Sequence, residues 1–174
     1  MIISYRDATP ADAVALKDLF AESFIDAFGH LYRPTDLGEF LDGNSDEKWH
    51  ANLSDSQVAI QVAETDGRLV GFVELAPKKL PYETPAPALE LRRLYLRNEA
   101  HGTGVAQRLM EWALEEAGRR GAKELVLSVY VDNHRARRFY ERYGFEAVGK
   151  YDFMVGSQAD EDLILRHIIM QARA

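Results

Sequence analysis

Apolar residues recur at helical spacing through the first part of the chain. One series predicts a helix with Thr9 as its N-cap and Pro10 at its first position, ending at Gly29. Its apolar members are Val14, Leu16, Leu19, Phe20, Phe24, Ala27 and Phe28. Shorter patterns predict two further helices, over residues 34–41 and 46–53.

Short apolar segments bounded by turn residues predict the strands. They cover residues 2–7, 57–64, 68–76, 88–96, 124–131, 146–155 and 162–169. Asp66 and Gly67 form a hairpin signal between the second and third strands. Helical spacing returns over residues 104–120 and 133–143. This order of elements predicts an α+β fold with a mixed sheet.

Composition and length indicate a single folded domain over residues 1–174, because 47% of the residues are hydrophobic and 28% are charged. The sequence contains no cysteine, which excludes disulfides and a thiolate nucleophile. No apolar run is long enough to cross a bilayer, and residues 1–7 lack the features of a signal peptide. We therefore expect a cytoplasmic protein that does not associate with membranes.

The net charge of −7 is concentrated in the first third of the chain, where residues 1–60 carry eleven acidic and four basic side chains. An acidic segment of this kind disfavours nucleic acid as a partner and suits a cationic small molecule. A solvated acidic helical surface explains the same charge equally well.

The segment from Leu91 to Ala106 predicts a strand, a glycine-rich turn and a long helix in succession. Gly102 and Gly104 allow the turn to present bare backbone N–H groups beside a helix N-terminus, which is what a pyrophosphate needs. An ordinary loop is the simpler interpretation. A dinucleotide site is another, but its third glycine would fall at Gln107.

A second segment, Asn133 to Phe145, places Ala136, Phe139 and Tyr140 on one helical face. Spacing alone favours Tyr140 as a core aromatic. Together the two segments resemble the acetyl-CoA-binding core of the GNAT superfamily of N-acetyltransferases. His101, Gly104 and Ala106 fall on the family pattern Arg/Gln-x-x-Gly-x-Gly/Ala, with histidine in place of the usual first residue.

The resemblance implies a GNAT fold with acetyl-CoA as co-substrate and no metal. That fold has a mixed, mostly antiparallel sheet of about seven strands and about four helices, with splayed parallel strands at the CoA site. The residues implied to bind the cofactor are Leu94, Tyr95 and Leu96 at a strand bulge, His101, Gly102, Thr103, Gly104, Val105 and Ala106 in the turn, and Asn133, Arg135 and Arg138. Arg137 is a further candidate for the CoA phosphates.

Catalytic roles follow from the same resemblance, which places the Tyr140 hydroxyl beside the CoA sulfur as the acid that protonates the thiolate. An alkylammonium has a pKa near 10 and must lose a proton before it attacks, so a base is also needed. Glu90 is our candidate, although it could instead pair with an arginine on its strand; Glu74 and His134 are weaker candidates. The histidines show no metal-ligand spacing.

Segments 23–28, 34–37, 91–96, 153–156 and 162–165 resemble bacterial polyamine N-acetyltransferases of the PaiA type, which implies spermidine or spermine as acceptor. Direct attack in a ternary complex is expected, because there is no cysteine to carry the acetyl group. The aromatic candidates for the wall of the acceptor cleft are Phe24, Phe28, Tyr32 and Phe40, although the hydrophobic core is the commoner role for such side chains. The alternatives are a protein N-terminal or lysine acetyltransferase and a non-catalytic acyl-CoA-binding regulatory module. The resemblance to this family also implies a homodimer.

Overall fold

The structure, a computed structural model, describes residues 1–170. These residues contain seven strands and five α-helices. The strands are β1 (Ser4–Asp7), β2 (Ala59–Thr65), β3 (Arg68–Pro77), β4 (Ala88–Leu96), β5 (Glu124–Tyr130), β6 (Glu146–Val155) and β7 (Gln158–Ile168). The helices are α1 (Ala13–Phe28), α2 (Pro34–Asp42), α3 (Asp46–Ser54), α4 (Val105–Arg119) and α5 (His134–Arg142). The expected α+β fold is confirmed, with one helix more than the family resemblance implied.

The strands form one sheet in the order β1-β2-β3-β4-β5-β7-β6. Within the described residues β4 and β5 are the one parallel pair, and the other neighbours are antiparallel. One hydrophobic cluster packs α4 and α5 against the sheet, and a second packs α1 and α3. The sheet is therefore covered on both faces, as a mixed central sheet requires.

Strands β4 and β5 pair over only three residues, Ala88–Glu90 against Glu124–Val126, and then diverge. The splayed parallel strands expected from the family resemblance are thus present. Their separation leaves the second half of β4 without a partner on that side, and this opening positions the site described below.

A bulge in β4 falls at Arg92, because Glu74 of β3 pairs with Arg93 while Leu75 pairs with Leu91. The expected position near Leu94–Leu96 was therefore wrong by two residues. The buried Glu74 carboxylate binds the guanidinium groups of both Arg92 and Arg93, at 3.3 and 3.1 Å. In a regular strand the side chains of Arg92 and Arg93 would point to opposite faces of the sheet. The bulge lets both of them reach the same carboxylate.

Strand β7 begins at Gln158, four residues before the expected start, because β6 and β7 are joined by a tight hairpin in which Val155 pairs with Gln158. Gly156 occupies this turn with a φ of +57°, a left-handed conformation that favours glycine. The change brings Asp160 into the strand. Among the described residues, no helix combines the length and apolar character needed to cross a membrane.

Candidate active site

A cleft of about 660 Å³ opens between the free half of β4, the first turn of α4, helix α5 and the C-terminal end of α1. It contains most of the cofactor residues expected from the sequence. These are Leu94, Tyr95, Leu96, His101, Gly102, Gly104, Ala106, Asn133, Arg135 and Arg138, together with Tyr140. The topology therefore brings the two sequence segments to one place, although some thirty residues separate them along the chain.

The glycine turn has the backbone conformation that its sequence suggested. Gly102 and Gly104 have φ values of +74° and +89°, and a Cβ at either position would meet no atom within 4 Å. Gly102 and Gly104 are therefore needed for their positive φ values and not to avoid a steric clash, because there is open space beside the turn. Ala106 and Gln107 of the first turn of α4 line the cleft, where helix N–H groups lack intrahelical acceptors.

Two residues of the turn do not present their side chains to the cleft. The Thr103 hydroxyl donates to the Ala100 carbonyl. Val105 is fully buried in the core under β3, where a Cβ added to Gly71 would lie 3.2 Å from its Cγ1. Thr103 and Val105 therefore support the turn, and any ligand contact from them would involve the backbone.

Positive charge at the cleft comes from Arg135, Arg138 and Arg142 of α5. Sequence reasoning missed Arg142, although the spacing of the three residues at i, i+3 and i+7 already places them on one helix face. Arg137 points elsewhere and donates to the Val131 carbonyl at 2.8 Å. Burial and the nearby Arg135 lower the pKa of His101, so its imidazole is neutral at pH 7 and offers a hydrogen bond without a charge.

Asn133 caps α5, its side-chain oxygen accepting from the Ala136 N–H at 3.2 Å. Two turns further along the helix Tyr140 is 9% exposed and packs against Phe139 and Phe145. Burial and, to a lesser extent, the nearby Tyr95 raise the pKa of Tyr140, so the hydroxyl keeps its proton at neutral pH. The residue is both a core aromatic and part of the cleft wall.

A second cavity, here called the side pocket, continues from the cleft on the side of α1 and has a volume of about 150 Å³. Both cavities share Phe28, Leu94, Tyr95, Asn133, Ala136 and Tyr140. Phe24 and Tyr32 line the side pocket as expected, whereas Phe40 is absent from its wall and packs behind it against Phe24 and Phe153. Tyr140 therefore stands where the two cavities join.

Two carboxylates of β7, Asp160 and Asp162, lie in the wall of the side pocket. Asp160 accepts hydrogen bonds from the Tyr32 hydroxyl and, at 3.0 Å, from Gln158. Asp162 is 5% exposed, and burial raises its pKa to about 7; the charge of Asp160 also raises it, while a hydrogen bond from Ser128 lowers it. Sequence reasoning missed both, since it placed the cation-binding acids in residues 1–60 and assigned the base to Glu90, with Glu74 and His134 as weaker candidates.

Glu90, the expected base, does not reach either cavity. Its carboxylate accepts from the backbone N–H groups of Lys79 and Leu80, at 2.9 and 3.0 Å, and so fixes the loop between β3 and β4. Glu74 is enclosed by Arg92, Arg93 and Asn52. His134 lines neither cavity. The three carboxylate and imidazole candidates proposed from the sequence are thus placed away from Tyr140.

The described residues contain no group of three histidine, aspartate or glutamate side chains arranged to hold a metal ion. The groups that line the side pocket include the Tyr140 phenol, the carboxyl groups of Asp160 and Asp162, and residues of β4.

Comparison with known proteins gives consistent matches. Residues 16–145 match the Acetyltransferase (GNAT) family. An uncharacterized N-acetyltransferase of Mycobacterium tuberculosis is 34% identical over 155 residues, which cover 88% of this chain and 96% of the relative.

Among solved structures, the PaiA N-acetyltransferase from Thermoplasma acidophilum in complex with coenzyme A superposes with a TM-score of 0.77 at 24% identity, covering 97% of this chain and 99% of that one. The ribosomal-protein-S18-alanine N-acetyltransferase from Escherichia coli gives a TM-score of 0.71 at 16% identity, covering 99% and 97%. At these identities the two likenesses concern the fold.

Proposed function

The chain belongs to the GNAT family of acetyltransferases, and from that premise we propose that it transfers the acetyl group of acetyl-CoA to a primary amine of a polyamine. N-acetyltransferase activity with acetyl-CoA as co-substrate comes with the family. The acceptor, the residues and the direct transfer are our proposals.

The cleft suits CoA in both shape and charge. The turn at Gly102 and Gly104 and the first turn of α4 supply N–H donors for the pyrophosphate, and the arginines of α5 supply the cations for the phosphates. At Leu94–Leu96 the edge of β4 that faces β5 has no strand partner, and its backbone would offer hydrogen bonds to the pantetheine arm and to the thioester carbonyl. Donors fixed at that carbonyl stabilise the oxyanion that forms during attack.

The amine would attack the thioester carbon directly within a ternary complex. The C–N bond forms, the C–S bond breaks, and the Tyr140 hydroxyl donates its proton to the departing sulfur. Its raised pKa keeps that proton in place until negative charge develops beside it. The absence of cysteine supports direct transfer over an acetyl-cysteine intermediate.

The side pocket is the observation that carries the choice of acceptor. It adjoins Tyr140, it has aromatic walls at Phe28 and Tyr32, and it contains Asp160 and Asp162. An alkylammonium chain fits such a lining, because rings and carboxylates both attract a cation while the rings pack against methylene groups. The acidic side chains of residues 1–60 contribute less than expected, since several are paired, as Asp12 is with Arg6.

The test is release of the CoA thiol from acetyl-CoA, followed with a thiol-reactive dye. Because the chain has no cysteine, the enzyme itself gives no signal. Acceptors would be spermidine, spermine, lysine, an aminoglycoside and a short peptide. Tyr140→Phe is the active-site variant, and Tyr143→Phe is its matched control, since Tyr143 lies on the same helix face and lines neither cavity.

Turnover with the polyamines that is lost in Tyr140→Phe and retained in Tyr143→Phe supports the proposal. Turnover with the peptide alone would make the protein a peptide acetyltransferase. Tight acetyl-CoA binding without turnover on any acceptor would favour the regulatory module. The homodimer is a separate prediction, for which light scattering in solution is the measurement.

A further inference from the structure

Asp162 lies on a strand in the interior of the sheet, and it borders the side pocket but not the cofactor cleft. It pairs with Tyr130 of β5 on one side and with Tyr151 of β6 on the other, so strands flank it on both edges. Its side chain lines the side pocket together with Leu94 and Tyr140. The residue is 5% exposed, and the pocket is thus the route by which a substrate would reach its carboxyl.

The two carboxyl groups of the side pocket differ in how far they are already occupied. Asp160 is held at both oxygens, by the Tyr32 hydroxyl at one and by Gln158 at the other. Asp162 receives a hydrogen bond from Ser128. Asp160 is therefore a fixed negative charge tied to the turn after α1, while Asp162 keeps hydrogen-bonding capacity for a substrate.

We propose that Asp162 is the general base of the reaction, which takes a proton from the acceptor ammonium in the side pocket. The proposal rests on the proposed function and assigns the role for which Glu90 was the candidate. Asp160 would hold the ammonium by charge, and Asp162 would accept its proton.

The environment of Asp162 suits a base that works at neutral pH. Burial raises its pKa to about 7, between the usual value for aspartate and that of an alkylammonium near 10. Apart from Asp160 on its own strand, most titratable groups that pair with Asp162 across the sheet or line the side pocket are phenols. They are Tyr130 of β5, Tyr151 of β6, Tyr95 of β4, Tyr140 of α5 and Tyr32 after α1.

Two cations, Arg92 and Arg93, also belong to the pocket wall, but Glu74 binds both of their guanidinium groups. Glu74 therefore offsets one of these two positive charges. Burial has the largest influence on the pKa of the Asp162 carboxyl and favours holding a proton, as does Asp160, while the hydrogen bond from Ser128 acts in the opposite direction.

Proton balance assigns one transfer to each group. The ammonium gives one proton to the Asp162 carboxylate, and the resulting amine forms the C–N bond. As the C–S bond breaks, sulfur takes the proton of Tyr140. The second nitrogen proton is then lost from the new amide and restores the Tyr140 hydroxyl. Asp162 releases its proton to solvent after the products leave.

The experiment is a pH profile of kcat for the whole chain, with spermidine and acetyl-CoA both saturating. Asp162→Asn is compared with Glu161→Gln, which removes a charge from the adjacent residue, 53% exposed and bound to Lys150. We expect Asp162→Asn to lower kcat at pH 7 about 100-fold and to abolish the inflection near pH 7, the rate then rising with pH toward the pKa of the amine itself. Glu161→Gln should behave as wild type, and the acetyl-CoA Kd should be the same in all three.

The outcomes separate this inference from the proposed function. If wild type turns over amines while Asp162→Asn keeps both kcat and the inflection, the inference is overturned and the function stands. If wild type acetylates no amine, both fail together. A carbon NMR titration adds a readout that needs no turnover: one carboxyl should titrate with a pKa of about 7 and vanish in Asp162→Asn, and an ordinary pKa for that carboxyl would also overturn the inference.

Discussion

Replacement of Gly156 by alanine tests the contact between the β6–β7 turn and helix α2. Gly156 has a φ of +57°, and an added Cβ would lie 2.5 Å from Oδ1, 2.6 Å from Cα and 2.8 Å from Cβ of Asp36 in α2. One of these atoms belongs to the backbone, so no rotamer change can relieve the overlap. The Asp36 carboxylate also accepts from the N–H and the hydroxyl of Ser157, each at 2.9 Å. The alanine must therefore push α2 away from the β6–β7 turn.

Gly67 provides the matched control, because it also lies in a hairpin turn with a positive φ, +73°, yet an added Cβ would meet nothing within 4 Å. Left-handed backbone costs an alanine about 1–2 kcal/mol at either position. Overpacking adds about 1–3 kcal/mol at Gly156 alone. In a chain of this size that difference corresponds to an additional fall in Tm of roughly 5 °C for Gly156→Ala.

The assay is thermal unfolding of wild type, Gly67→Ala and Gly156→Ala under the same conditions, followed by steady-state kinetics of the two variants. Displacement of α2 should disturb the neighbouring Tyr32 and its bond to Asp160, and so raise the KM for the amine while leaving the acetyl-CoA Kd near wild type. Equal losses of Tm in the two variants would show that α2 does not press on the turn, and the reasoning would be refuted.

Three further results are expected. Tyr140→Phe should lower kcat about 100-fold with acetyl-CoA binding retained, and an unchanged kcat would remove the tyrosine from the mechanism. Glu90→Gln should keep kcat within a few-fold of wild type, because its carboxylate holds a loop; a loss as large as that of Tyr140→Phe would restore it as the base. The hydrogen bond from the Ser157 N–H is the main reason why the pKa of Asp36 is lowered to about 2, so the contribution of Asp36 to stability is complete above pH 4 and is lost as pH falls toward 2. In urea unfolding, the free energy of unfolding of Asp36→Asn should therefore fall less steeply below pH 4 than that of wild type. The same pH dependence in both proteins would contradict this.

The cofactor cleft could be predicted from the sequence because its main features arise from residues that are close together along the chain. Gly102 and Gly104 specify a turn by their own conformational freedom, and Asn133 caps the helix that it precedes. Such features depend on residues within a few positions of one another, so a single sequence displays them.

The side pocket could not be predicted in the same way, because its wall joins α1, β4, β5 and β7. The sequence pattern indicated a turn residue at Asp160 and a strand residue at Asp162. It also placed Gly156 in a longer loop, whereas the structure has a tight hairpin there and β7 begins earlier. Glu90 was chosen for its strand, yet its contacts depend on how the loop at Lys79 and Leu80 folds back over it. Long-range packing of this kind leaves no local signal.

The most direct test of the account is mass spectrometry of spermidine recovered after incubation with isotopically labelled acetyl-CoA and the wild-type protein. The account predicts labelled acetyl groups on the amine, free CoA in equal amount, and no label on the protein. Label on the protein would contradict direct acetyl transfer to a polyamine. So would unmodified spermidine together with intact labelled acetyl-CoA.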